Sequence, residues 1–153
     1  MIANYHYPKA PQRLQNMLPS RWKKNMLFAY VRNKTLFEVT KGKFPGGKLF
    51  NLEGDHPIFV MELTVEGPQA CPCSSKDWEI VDARRYIYSG AVTDTGWRVR
   101  EDTFLVDEHS FTVPRSIDER SFFEDYFTNI RCPDMNPLLC LGVVQKKDIK
   151  ERI

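Results

Sequence analysis

The chain has 153 residues, of which 42% are hydrophobic, 12% aromatic and 27% charged. That length suits one domain with a buried core, and the composition excludes a disordered, collagen-like or coiled-coil chain. The formal charge of +2 hides a division: residues 1–50 hold ten Lys/Arg and one acid, Glu38, for a net +9, whereas residues 51–153 hold twelve Lys/Arg and nineteen acids, for −7.

Residues 1–24 read as an N-terminal arm, because Pro8, Pro11 and Pro19 punctuate them and only Leu14, Met17 and Leu18 give a short helical apolar stripe. The first residues lack the basic flank and 7–15-residue apolar core of a secretory signal. The longest apolar runs, Met26 to Val31 and Pro57 to Met61, fall far short of the roughly 20 residues that span a bilayer. A cytoplasmic protein without membrane contact is the expectation.

Met26 to Val31 and Thr35 to Thr40 flank Arg32-Asn33-Lys34, a composition that predicts a hairpin of two strands. Gly42 to Lys48, with three glycines and Pro45, reads as a basic loop. Its neighbour Lys41 and its own Lys43 and Lys48 are candidate ligand contacts. The cations of residues 1–50 are interleaved with Tyr5, Tyr7, Trp22, Phe28, Tyr30 and Phe37, a mixture that suits a nucleic-acid partner, since cations meet phosphates and rings stack on bases. Packing of this basic segment beside the acidic remainder accounts for the same charges without any nucleic acid.

Pro57 to Val65 reads as a central strand, followed by a short second strand within 66–73 with Gly67 and Pro68 at the turn. Trp78 to Val81, Arg85 to Tyr88, Thr103 to Val106, Ser110 to Val113 and Leu138 to Val144 give further short strands, a number that suggests a barrel or sandwich. Ser116-Ile117-Asp118-Glu119 is a capping box opening a helix to about Asn129, whose pairs Phe122/Tyr126 and Phe123/Phe127 present an apolar face to the sheet. Cys132 to Pro137 breaks the chain, and Lys146 to Arg152 reads as a terminal helical turn. The fold class is therefore mainly β (α+β). One domain, 1–153, comprises the arm 1–24 and a small barrel core, 25–153, with an inserted helix near 116–129 and a short C-terminal helix.

Cys71, Cys73, Cys132 and Cys140 form no CxxC pair, and buried free thiols are expected in place of disulfides or a zinc site with His6, His56 or His109. A Cys73 nucleophile with His56 or His109 is one enzyme reading, without a flanking motif to support it. No phosphate-loop glycine pattern, paired-carboxylate signature or His-Glu-x-x-His motif occurs, and no cofactor is expected.

Gly54-Asp55-His56-Pro57-Ile58-Phe59-Val60 and Pro72-Cys73-Ser74-Ser75 carry a resemblance. They are similar to the loop and strand end of the MazF/PemK toxins, in which Gly-x-Arg-Pro opens a strand and a Pro-Cys-Thr-Thr-like segment ends the next. Phe104 to Asp107, Phe111 to Ser116 and Leu141 to Val144 resemble the family's later strands. The likeness covers roughly residues 44–116 and 138–153. It implies an SH3-like barrel, metal-independent endoribonuclease activity, a homodimer and an antitoxin protein as partner. His56 stands where the family's active Arg is expected and Ser74 where its functional Thr is expected. The arm and the inserted helix have no counterpart in the minimal family member.

RNA cleavage by its own 2′-OH needs a base, an acid and groups that stabilise the charged phosphorus centre. His56 suits the first or second task because imidazole titrates near neutrality. Ser74, Ser75 and Lys76 suit the third. Each has a plain structural alternative, namely a turn cap for Ser74, a solvated cation for Lys76 and a loop-shaping role for His56 before Pro57. Two readings stand: an endoribonuclease with His56 and Ser74 catalytic and Lys41, Lys43, Lys48, Ser75 and Lys76 binding substrate, or a non-catalytic barrel that binds nucleic acid or a protein.

Overall fold

The computed structural model describes residues 21–33, 37, 55–75, 83–113 and 139–152. Over these the chain is mainly β, an antiparallel sheet curled into a half-barrel. Its strands are β1 (Met26–Arg32), β2 (Asp55–Thr64), β3 (Gly67–Ser74), β4 (Arg85–Ile87), β5 (Thr103–Leu105), β6 (Phe111–Thr112), β7 (Leu139–Val143) and β8 (Ile149–Glu151). They lie in the order β7-β1-β2-β3-β5-β4-β8, with β6 also on β3. No helix among the described residues reaches seven residues, and none is long and apolar enough to cross a membrane. The expected strand at 78–81 and the inserted helix at 116–129 lie outside the described residues.

The longest pairing is the β2–β3 hairpin. Thr64 lies opposite Gly67, so Val65 and Glu66 form a two-residue turn, and the ladder continues to Ile58 opposite Pro72 with a bulge at Met61. The sequence places Gly67 and Pro68 in the turn; both belong to β3. The Thr64 hydroxyl closes the turn by donating to Gly67 O at 2.6 Å.

Alternation along these strands buries both faces. Leu27, Phe59, Cys71, Cys73, Ile87, Leu105 and Leu141, each at most 1% exposed, form the inner core. Phe28, Ile58, Val60 and Ala70 point the other way and are equally buried. Burial on that scale stabilises by roughly 1.5–3 kcal/mol for each large side chain. β1 owes its burial to strands on both edges, β2 on one and β7 on the other. The expected hairpin of 26–31 with 35–40 is thereby corrected: Asn33 has already left the strand for helical backbone, and Phe37, the only described residue of 35–40, is helical.

The second correction concerns the C-terminus. A single 3-10 turn spans Lys146–Asp148, and the rest of the predicted helix is β8, with Ile149 opposite Ile87, Lys150 opposite Tyr86 and Glu151 opposite Arg85. Extended backbone lets Ile149 reach the core, which outweighs the weak helix preference of so short a segment.

β7 is an edge strand, and the connection between β4 and β5 covers it. Asp94 N–H donates to Val143 O at 3.1 Å, Val143 N–H donates to Asp94 Oδ1 at 2.7 Å, and the Thr93 and Thr95 hydroxyls both donate to Leu141 O at 2.6 and 2.8 Å. The close approach needs a glycine between them. Gly142 has φ +110°, and a Cβ there would stand 2.6 Å from Asp94 Oδ1 and 2.7 Å from Thr93 Oγ1. We expect Gly142→Ala to destabilise by about 2–4 kcal/mol through backbone strain and disrupted hydrogen bonds, measured as a lowered urea midpoint. Asn25→Gly, at the left-handed φ of 70° that opens β1, should stay within about 1 kcal/mol of the parent.

Candidate functional site

The open end of the β2–β3 hairpin gathers the residues that the sequence singles out. Ile58 lies opposite Pro72, and continuing the count by two residues on each strand puts His56 level with Ser74. On its other edge His56 pairs with Val31 of β1, which brings the end of β1 alongside. Asn33, 3% exposed, is hydrogen-bonded there through its side-chain oxygen to His56 Nδ1. An amide oxygen is an acceptor, so Nδ1 carries the proton and the lone pair of the neutral ring resides on Nε2. His56 is half-buried. One ring nitrogen of His56 is thus held by the Asn33 side chain, which fixes the plane of the ring.

Sequence reasoning missed Asn33. It reads there as part of a hairpin connection, and 23 residues separate it from His56; only the pairing of β1 with β2 makes them neighbours.

Ser74 ends β3 and is 2% exposed, whereas Ser75 is exposed. Of the two hydroxyls it is therefore Ser75 that meets solvent. Lys41, Lys43, Lys48 and Lys76 lie outside the described residues. Two of the aromatics expected to stack on bases are corrected by their burial: Trp22 and Phe28 are 2% and 0% exposed, with ring centroids 4.7 Å apart. They pack the end of the arm onto the sheet. The cations beside them, Arg21, Lys23 and Lys24, are exposed, and Lys24 pairs with Glu62 at 3.2 Å, an exposed contact worth little.

The described thiols are buried, and Cys132 lies outside the described residues. Cys71, Cys73 and Cys140 are free and buried. Burial, reinforced by the neighbouring Cys71, pushes the Cys73 thiol well above its ordinary range, so it stays protonated, and the reading of Cys73 as a nucleophile is corrected. Burial also lifts Cys140 from 9.0 to about 11, with the Asp94 carboxylate adding to the rise and the Gly142 N–H opposing it. Among the described residues no three His, Cys, Asp or Glu side chains converge as metal ligands would. No family model, curated protein or solved structure matches the chain.

The thiol environments predict a measurable pattern. At neutral pH a water-soluble thiol reagent should leave Cys71, Cys73 and Cys140 unmodified until denaturant is added, as mapped by mass spectrometry. Because Cys140 holds its proton more tightly when folded, its contribution to stability is intact below about pH 9 and is lost as pH rises through about 11. Cys140→Ala should therefore flatten the alkaline fall in stability.

Proposed function

We propose that the chain is a toxin-like, metal-independent endoribonuclease built on an SH3-like barrel, cutting single-stranded RNA at the open end of the β2–β3 hairpin. One observation carries the reading: His56, its ring held by Asn33, stands level with the Ser74–Ser75 strand end by the count of the ladder. In this reading Nε2 of His56 takes the proton of a ribose 2′-OH as the oxygen attacks the adjacent phosphorus. Ser75, the exposed hydroxyl, donates to a non-bridging oxygen, and Ser74 holds the strand end beneath it. The 5′-oxygen leaves with a proton from solvent, giving a 2′,3′-cyclic phosphate. Lys76 and the loop lysines 41, 43 and 48 neutralise neighbouring phosphates. A homodimer and a protein antitoxin that covers the RNA path belong to the same proposal.

The burial of Ser74 at 2% exposure favours a second reading, a barrel that binds RNA or a protein without cutting. Cleavage of a long unstructured RNA in EDTA separates the two. His56→Ala should lower the rate by roughly 10²–10⁴, the usual worth of a positioned base; Asn33→Ala and Ser74→Ala should cost less, and products should end in a 2′,3′-cyclic phosphate. Equal cleavage by wild type and His56→Ala, or none by either, assigns the chain to the binding class.

A further inference from the structure

The strands beyond β3 set up a surface that the hairpin site does not use. Ser74 of β3 lies opposite Phe104 of β5, Phe104 opposite Tyr86 of β4, and Tyr86 opposite Lys150 of β8. Residues directly opposite one another share a face of the sheet, so these four make one row across four strands, about 14 Å long at the usual spacing of about 4.8 Å. Their strand neighbours Cys73, Leu105 and Ile87 are 0% exposed in the inner core, so the row lies on the opposite face, where Phe104 and Tyr86 are half-buried and Lys150 is exposed while Ser74, at 2%, is covered.

The row is aromatic at its centre and cationic at its far end. The Tyr86 and Phe104 rings are 5.7 Å apart and tilted by 41°. The Arg152 guanidinium stands 5.6 Å from the Phe104 centroid and Lys150 Nζ 5.4 Å from that of Tyr88. Both rings of the central pair keep partial exposure, whereas rings serving the core alone, such as Phe59, are 0% exposed. The last described segment, 145–152, carries four exposed cations against one exposed acid, Glu151. Glu151 is opposite Arg85 and so lies off the row by alternation. Asp102, two residues from Phe104, is engaged at 2.8 Å by the Ser89 N–H.

We propose that this face binds a single strand of nucleic acid, with bases stacked on Phe104 and Tyr86 and phosphates on Lys150 and Arg152. Flat apolar rings bordered by exposed cations complement a chain that alternates π-faces with phosphates. The proposal rests on the RNA reading for its substrate class.

The test is binding without cleavage. A fluorescent 12-mer of 2′-O-methyl RNA has no free 2′-OH and cannot be cut by the proposed chemistry, so its affinity reports the face alone. Anisotropy titrations at 50 and 200 mM salt should show that Phe104→Ala and Tyr86→Ala weaken binding by roughly 5- to 150-fold, whereas Tyr86→Phe, which keeps the ring, does not. Lys150→Glu with Arg152→Glu should also weaken binding; because Arg152 also donates to Ala83 O at 3.2 Å, the urea midpoint of this variant is compared with the parent's. Lys150→Ala with Arg152→Ala should flatten the slope of log affinity against log salt by about 1.4, the single-strand value for two lost cations. Unchanged affinity in the ring and charge variants overturns the proposal. So does equally tight binding of a duplex of the same length, or a wild-type dimer that Tyr86→Ala dissolves while RNA binding is unaffected. An oligonucleotide that binds through these residues while no RNA is ever cut retires the endoribonuclease reading and leaves the face standing; cleavage with unaltered binding in all variants does the reverse.

Discussion

β3 is the strand on which everything else is registered, because it is satisfied on both edges and on both faces. β2 occupies one edge from Gly67 to Pro72, and β5 and β6 share the other. Only Gln69 along β3 is not fully buried. The second edge is interrupted between its two partners by the 3-10 turn Asp107–His109, and Pro72 supplies the reason. Its carbonyl accepts Val106 N–H at 3.0 Å on that edge. The N–H and C=O of one residue in an antiparallel strand point to the same side, so the donor that proline lacks is missing there too. The facing chain has nothing to accept from and loops outward before rejoining the ladder at Phe111 opposite Ala70. Pro68 repeats the pattern one step away, accepting Val113 N–H at 2.9 Å.

Fixing β3 also fixes the ends of the half-barrel. Strand order runs outward from it to β7 on one side and β8 on the other, and these two edges are joined in sequence by the short segment 144–148. Unpaired edges invite association with other chains. β7 is covered by the Thr93–Thr95 hydroxyls and by both backbone partners of Asp94, a packing that only a glycine at 142 permits. β8 is three residues long and carries Lys150 and Glu151, the usual protection of a short charged edge. The covering turn is itself a small hairpin, with Gly90 N–H donating to Val99 O at 2.7 Å and Val99 N–H to Ala91 O at 2.8 Å.

Local composition made the strands legible and left their partners hidden. Met26 to Val31, Ile58 to Thr64, Thr103 to Leu105, Phe111 to Thr112 and Leu139 to Val143 are all where β-branched and aromatic residues concentrate. The turn at Val65-Glu66 was misplaced because Gly-Pro is a strong turn signal, yet the alternation that buries Ala70, Cys71 and Cys73 requires Gly67 and Pro68 to be extended. β8 reads as helical because its charges are spaced like those of an exposed helix; the pull of Ile149 towards Ile87 comes from a residue 62 positions earlier in the chain and has no local trace. His56, Ser74 and Ser75 could be singled out as residue types. Asn33 could not, since its contact with His56 depends on β1 choosing β2 as its neighbour. The same holds for Phe104, Tyr86 and Lys150, which become one row only through the non-sequential order β3-β5-β4-β8.

That order links the two surfaces physically. Alternation sends Cys73 and Leu105 into the inner core and so puts Ser74 and Phe104 together on the opposite face. Along β2 the same period carries Ile58 and His56 on one side, the side Pro72 and Ser74 share across the ladder. That face is open over β5, β4 and β8, where Phe104 and Tyr86 are half-buried and Lys150 is exposed, and closed at the hairpin, where Ile58, Pro72 and Ser74 are buried. At the hairpin end β1 delivers Arg32 opposite Asp55 and Asn33 beside His56, whereas Arg21, Lys23 and Lys24 precede the strand at its other end. In the proposed reading, electrostatic capture along the row is supplied by Lys150 and Arg152. The inner face, packed with Phe59, Cys71 and Leu105, fixes the register that sets His56 beside Asn33.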